Sequence, residues 1–330
     1  MLARSRVIRH PSETTIETPI LVPSFSSKGF KMNKKGISEV FAAFKTTSEV
    51  LTDSMLISAY DLHYKHIPVK NYPTEIVFID SGGYETSDDN DLSAVQRHTG
   101  KINKWNEDLL INVLDGLPGQ ISAIIVNYDH GSLRRPMAAQ IDSANNLFKR
   151  YPQHLHDFLI KPETLDKQLL TIPVIIENIT DLQSFDIIGV TEKELGDSLL
   201  ARMTNIAKIR IAMDENGIDR PLHVFGSLDP ISSTLYFLAG AEIFDGLTWL
   251  RYSYFNGLTI YNRNYGALEC GIRETDNLII SRTLFNNIYF LRDLYHEMKD
   301  FLGKNEFDRF SQHSDFLEKS FSTFYAEIRR

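Results

Sequence analysis

Residues 75–84 read Glu-Ile-Val-Phe-Ile-Asp-Ser-Gly-Gly-Tyr. The apolar residues Ile76 to Ile79 run straight into Asp80, and Ser81, Gly82, Gly83 and Tyr84 follow. An apolar run this short, bounded by turn residues, is the pattern of a strand buried on both faces, as in a parallel sheet. The strand ends by presenting a carboxylate, two glycines and an aromatic ring at one point. Glycine pairs serve where the backbone turns sharply or a ligand comes close. On this stretch alone two readings stand side by side. One is a plain strand-to-helix loop with Asp80 as a cap. The other is a strand end that carries a functional acid.

The same pattern recurs along the chain. Short apolar runs occur at Pro19–Ser24, Ser54–Tyr60, Glu75–Asp80, Ser122–Asp129, Ile172–Asn178, Asp186–Thr191, Leu222–Ser227 and Ile243–Trp249. Between them lie segments with apolar residues at helical spacing: Ile37–Phe44, Lys101–Leu114, Met137–Tyr151, Lys193–Met213 and Asp229–Gly240. The last opens with Asp-Pro, a cap followed by proline at the first helical position, and closes on glycine. Strands alternating with helices in this number predict a (β/α)8 TIM barrel of the α/β class. A doubly wound open sheet is the rival. It usually carries a glycine-rich phosphate loop after its first strand, which Ser24–Phe30 does not supply. The spacing therefore predicts a barrel over 1–265. A C-terminal helical appendage follows over 266–330, with a loop at Tyr252–Asn264, a long helix at Leu278–Leu302 and further helix at Phe307–Ile328.

Of the 330 residues, 42% are hydrophobic and 24% charged, the balance of a globular chain with a large core. No apolar run is long enough for a membrane span. The arginines of the first ten residues are not followed by an apolar segment, so no secretory signal is expected, and the cytoplasm is the default location. A lone cysteine, Cys270, excludes an intrachain disulfide and a multi-cysteine metal site. The net charge of −8 excludes a generic basic nucleic-acid binder. Residues 1–70 nevertheless hold ten Lys/Arg against six Asp/Glu. Lys28, Lys31, Lys34 and Lys35 form either a basic face or a solvated loop.

In a TIM barrel the reacting groups gather where strands end. The predicted strands place Asp80, Asp129 and Glu177 at the ends of the third, fourth and fifth, and Asp245 within the eighth. Gly189 lies near the end of the sixth, and Gly226 and Ser227 end the seventh. Carboxylates sharing a pocket push their pKa values apart, so that one acts as acid or base and another as nucleophile. Such a cluster suits chemistry at a sugar carbon or a divalent cation held by oxygens. The alternative for each residue taken singly is a capped turn or a surface ion pair. The histidines are scattered. His63 and His66 follow a strand end, with a solvated loop as the plain alternative.

Asp80-Ser81-Gly82-Gly83-Tyr84 resembles the signature of the tRNA-guanine transglycosylases, barrel enzymes that exchange guanine in a nucleic acid for a 7-deazaguanine. Ile243-Phe244-Asp245-Gly246 through Leu250-Arg251 resembles their second signature, in which a Met-Phe-Asp-Cys run leads to Pro-Thr-Arg. Val224–Pro230 and Pro19–Phe30 fit as well. The similarity covers roughly residues 15–255 and, weakly, 286–310. It implies that Asp245 is the nucleophile attacking the anomeric carbon to form a glycosyl-aspartate. Asp80 would be the general acid/base. Tyr84 would stack on the base, Asp129 would bond its Watson–Crick edge, and the backbone at Gly189 and Val190 would touch the other edge. Ser81, Gly82, Gly83 and Gly226 would border the substrate, and Arg251 would lie near the nucleic-acid backbone. No cofactor is implied.

Two departures stand out. The family holds a structural zinc on three cysteines and a histidine, whereas Cys270 is alone here and Asn286-Asn287 stands where the histidine is expected. The zinc subdomain is then absent or rebuilt without metal. Glu177 also stands where the family has glutamine at the fifth strand end, and Glu85 replaces another glutamine, which bears on the base recognised. The implied partners are DNA or tRNA, with DNA slightly favoured, and a 7-deazaguanine base. A homodimer or partner proteins remain open. The alternatives are a hydrolytic N-glycosylase on the same scaffold, a non-catalytic partner subunit of a transglycosylase, and a metal-dependent barrel hydrolase.

Overall fold

The computed structural model describes residues 1–32, 37–86, 102–129 and 134–329. Lys34, Lys35, His98, Lys101 and His130 lie outside the described residues. The chain opens with an antiparallel hairpin, β1 (Val7–Arg9) and β2 (Thr15–Glu17). The barrel follows: β3 (Ile20–Phe25), β4 (Ser54–Ser58), β5 (Ile76–Asp80), β6 (Ala123–Val126), β7 (Leu155–Ile160), β8 (Ile187–Thr191), β9 (Leu222–Phe225) and β10 (Ile243–Gly246). Each pairs in parallel with its sequence neighbour, and β10 closes on β3. The protein is a closed eight-stranded parallel barrel ringed by helices, with a helical region at its C-terminal end.

Strand side chains alternate between two cores, as the two-residue period requires. Val22, Leu56, Phe78, Ile124, Val126, Leu159 and Ile187 fill the barrel, and Ile8, Ile16 and Ile20 join them from the hairpin and the start of β3. Ile57, Val77, Ile79, Ile125, Phe158, Val190 and Phe244 face outward under the helices. Several outer helices start on a capping side chain. Ser38 accepts from the Val40 N–H for Glu39–Thr47, Asn106 from Leu109 for Glu107–Asp115, and Ser198 from Ala201 for Leu199–Glu215. Asp229 accepts from Ile231 and Ser232, with Pro230 opening the helix Pro230–Leu238.

The fifth barrel strand is not where the sequence pattern puts it. Residues 172–178 form a helix, Ile172–Glu177, with Pro173 in its first turn. Isoleucine and valine give that segment the look of a strand, but proline fixes φ and lacks an N–H, which suits a helix start. Glu177 ends this outer helix in solvent, so its placement at a barrel strand end is corrected. The true strand is β7, whose pattern is hidden by polar residues. His156 faces outward and stacks on Phe148 with ring centroids 4.5 Å apart, and Asp157 points into the barrel. Lys161, the residue after β7, takes the place assigned to Glu177.

Two smaller corrections concern local elements. Trp105 and Ile102 precede the helix Glu107–Asp115 rather than lying in it. The predicted loop after residue 252 contains a hairpin, β11 (Ser253–Phe255) and β12 (Leu258–Ile260). Its turn, Asn256-Gly257, has φ of 49° and 74°, the left-handed pair that a two-residue hairpin demands.

The long helix Asp276–Lys304 packs on β3, β11 and the helices Glu39–Thr47 and Thr248–Arg251. Ser314–Ile328 packs on Leu199–Glu215 and Pro230–Leu238. Among the described residues, no helix is long and apolar enough to cross a membrane.

Candidate active site

β5 delivers Asp80 to the C-terminal mouth of the barrel, and the next residues are shaped by what they touch. Gly82 has φ +82°, and an added Cβ would lie 2.7 Å from the Trp105 Nε1. That indole donates to the Ser81 carbonyl at 2.8 Å. At Gly83 a Cβ would meet the Asp129 backbone oxygen at 2.2 Å. Gly82 therefore admits the Trp105 indole, and Gly83 lets the β5 and β6 loops close on each other. The Ser81 hydroxyl donates to Asp129 Oδ1 in the same contact. Asp129 Oδ2 lies 3.5 Å from Lys161 Nζ, which also reaches Glu194 at 3.2 Å.

Asp245 is the third residue of β10 and points into the barrel, 5% exposed. Ser24 of β3 donates its hydroxyl to Asp245 Oδ2 at 2.7 Å, and the Gly226 N–H donates to Oδ1 at 3.1 Å. Gly226 has φ +80° just after β9, which turns its amide toward the carboxylate. Both carboxylate oxygens are thus fixed in direction by donors from the two neighbouring strands.

Asp80 and Asp245 share this mouth. Burial, followed by the charges of Glu85, Asp129 and Asp245, pushes the Asp80 carboxyl well above the usual carboxylate range. Burial and the charge of Asp61 push Glu85 up to about 7. Glu85 is buried and accepts hydroxyl bonds from Ser26 and from Ser58, the latter at 2.7 Å. Asp61 accepts from the Ser27 amide at 2.7 Å, and His66 Nδ1 lies 2.8 Å from it. His66 is therefore part of the mouth's polar wall.

Tyr84 sits at the rim. Arg251 donates to its hydroxyl at 3.3 Å and to the Lys28 carbonyl at 3.1 Å. Lys28 Nζ lies 4.3 Å from the Tyr84 ring centroid and donates to the Tyr84 carbonyl. The two signature segments, more than 160 residues apart, thus meet through Tyr84 and Arg251.

Gly189 is in the middle of β8, deeper than expected, and Val190 turns its side chain outward. A Cβ at Gly189 would lie 2.6 Å from the Phe225 ring and 2.9 Å from Asp157 Oδ1. Four residues that the sequence reading did not single out lie in or below the mouth: Lys161, Phe225, His223 and Asp157. His223 Nδ1 is 2.6 Å from Asp157 Oδ2, and its Nε2 is 3.3 Å from Asp245 Oδ1. A usable signal existed for His223, which stands two residues before a strand-ending, inward residue of β9 and so shares its face.

No protein-family model and no curated protein matches this chain. Among the described residues, no group of three or more His, Cys, Asp and Glu is arranged to hold a metal ion. At the position of the expected zinc histidine, Asn287 is fully buried. It donates to the Trp249 and Tyr252 carbonyls, each at 2.7 Å, and accepts from the Tyr254 N–H at 2.8 Å.

A cavity of about 30 Å³ lies between the ends of β6 and β7 and the outer helix Met137–Phe148, lined by Asn127, Asp129 and Lys161 on one side and Gln140, Ser143 and Ala144 on the other. A wider one, about 700 Å³, opens at the opposite end of the barrel beside Arg4, Arg6, Arg9 and Arg220. The clustered carboxyl groups Asp80, Glu85, Asp129 and Asp245 lie at the mouth and not beside the larger space.

Proposed function

We propose that this protein is a base-exchange transglycosylase that replaces guanine in a nucleic acid with a 7-deazaguanine through a glycosyl-aspartate. The observation that carries the reading is two acids in a single barrel mouth: Asp80, whose carboxyl is pushed up by burial and neighbouring carboxylates, and Asp245, whose two oxygens are each held by a donor. That pairing suits a proton donor and a sugar-attacking group acting on one glycosidic bond. Asp245 attacks C1′ as the C1′–N bond breaks, and Asp80 protonates the departing base. The incoming base then gives its proton to Asp80 and displaces Asp245 from C1′.

Tyr84 supplies a ring at the rim. Phe225 lies inside the mouth with one face stacked on His223, at a centroid distance of 3.8 Å. A base taken out of its stack needs such aromatic surfaces, together with polar groups for its edge. Asp129 and Lys161, which line the small cavity beside the ends of β6 and β7, offer polar groups for that edge. DNA is slightly favoured over tRNA because Cys270 and Asn287 stand where the tRNA-acting members of the family it resembles hold their zinc.

The test is incubation with duplex DNA or tRNA and a labelled 7-deazaguanine, followed by a denaturing gel. A covalent adduct with DNA that disappears in Asp245→Asn, with label incorporated, is expected. No adduct with either nucleic acid, or one unaffected by Asp245→Asn, overturns the reading. Base release without incorporation assigns a hydrolytic glycosylase instead.

A further inference from the structure

We infer that His223 is a positively charged positioning residue that, braced by Asp157, stabilises the negative charge of Asp245 and makes it a ready leaving group. The inference rests on the reading of Asp245 as the sugar-attacking carboxylate. His223 and Asp157 both point into the barrel with no side-chain exposure. They stand on β9 and β7, on either side of β8. Gly189 of β8 leaves the space between them, since any side chain there would strike Asp157 and Phe225.

The surroundings of the imidazole are specific. Asp157 faces Nδ1 at 2.6 Å and Asp245 faces Nε2 at 3.3 Å. Phe225 covers one ring face, and Phe78 of β5 meets the ring edge-on at 5.5 Å. The Nε2 contact is at ion-pair distance without a hydrogen bond, and neither His223 Nε2 nor Asp157 Oδ1 has a hydrogen-bond partner. A neutral imidazole carries one N–H and can satisfy one acid, whereas an imidazolium carries two and can face both. A neutral ring would leave two buried carboxylates with no cation between them, the costlier arrangement. Burial opposes the charge, but Asp157 and then Asp245 outweigh it and push His223 up to about 9.

The chemical consequence falls on the second half of the exchange. While the ester stands, Asp245 carries no charge and the imidazolium keeps only Asp157 as counter-ion. When the C1′–O bond breaks, its electron pair returns to the Asp245 oxygen, and His223 meets that returning charge at once. No proton needs to move. The same positive charge restrains the attack of Asp245 in the first half, so formation and breakdown of the ester are brought closer in rate.

The test uses the full chain and two readouts. The first is ¹⁵N NMR of the histidine rings. One ring is expected to carry protons on both nitrogens at pH 7.5 and to lose one only near pH 9; its signal disappears in His223→Gln and moves in Asp245→Asn. A His223 ring that is neutral at pH 7.5 overturns the inference, and wild type with Asp245→Asn decides this even where His223→Gln fails to fold. The second readout is the Asp245 adduct. His223→Gln is expected to raise the trapped fraction severalfold and to move the acid limb of the pH profile up by about one unit, a tenfold change in proton affinity. A residue that only packs the barrel would change stability and leave that limb in place, which equally overturns the proposal. Failure of wild type to form any adduct removes the transglycosylase reading and the leaving-group role with it. The charge on His223 is decided by the ring spectrum alone.

Discussion

An alanine Cβ at position 83 would lie 2.2 Å from the backbone oxygen of Asp129 and 2.6 Å from its carboxylate. No side-chain rotation relieves a contact with a carbonyl, so the β5 and β6 loops would have to part. Gly83→Ala is expected to cost about 1–3 kcal/mol and to abolish adduct formation by displacing Asp129 and Tyr84. Urea unfolding gives the first quantity and the denaturing gel the second. Wild-type stability in the variant would show that the two loops do not meet as described.

Asp80→Asn keeps the shape of the mouth and removes its proton donor. A positioned general acid contributes roughly 10²–10⁴-fold, and a loss of that size in the rate of adduct formation is expected. The protonated form of Asp80 is the active one in the first half of the reaction. Its carboxyl is raised by burial and by neighbouring carboxylates, so wild-type adduct formation should fall on the alkaline side at a pH above the usual carboxylate range. Asp80→Asn should lack that alkaline fall. A pH series of single-turnover rates measures both.

Glu85 gives a pH signature in stability. Its carboxyl is raised to about 7 by burial and by Asp61, above the unfolded value of about 4.3. The folded state therefore holds this proton more tightly. The stabilisation is fully present below the unfolded pKa and is lost as pH rises through about 7. Glu85→Gln should gain on wild type between pH 5 and pH 8, by up to about 3 kcal/mol. Urea melts at the two pH values test the sign, and a constant difference would mean that Glu85 is not buried as an acid.

How far the sequence speaks depends on what each residue faces. The barrel and its two signature acids were legible because β5 and β10 carry apolar runs ending in a carboxylate. β7 was not, because Asp157 is a polar residue buried inside the barrel for the sake of His223, and no single-strand pattern announces a partner two strands away. Ile172–Glu177 misled for the opposite reason: its β-branched residues mark burial under a helix layer, and Pro173 was the discordant signal. The turn Asn256-Gly257 carried the strongest short-range hairpin signal available and was submerged in an aromatic, polar stretch. Lys161 followed from neither motif nor resemblance, because its place at the mouth depends on the correct register of β7.

Below the barrel, Glu242 holds two guanidiniums. Arg210 lies 2.6 Å from its carboxylate with both side chains fully buried, and Arg6 joins from the N-terminal segment. Removing the carboxylate leaves two positive charges without their counter-ion, which in buried pairs costs about 3–5 kcal/mol. Glu242→Gln is expected to lower stability by that order while leaving the pH profile of adduct formation unchanged, since it lies at the opposite end from Asp80. Urea unfolding and the single-turnover profile separate the two effects.

Asn287 ties the C-terminal helix to the site. Its amide donates to the carbonyls of Trp249 and Tyr252, and its oxygen accepts from Tyr254. These bonds flank Arg251, whose guanidinium reaches the Tyr84 hydroxyl. One side chain therefore anchors this helix through three hydrogen bonds in a fully buried position. Asn287→Ala leaves two carbonyls and one N–H unpaired, at a cost of about 2–4 kcal/mol. It should also loosen the Arg251–Tyr84 contact, weakening nucleic-acid binding more than the rate of the bound complex. Asn287→His offers a ring too short of donors for both carbonyls and should recover little. Titration of binding against single-turnover rate checks the split, and equal losses in both would place Arg251 in the chemistry instead of at the rim.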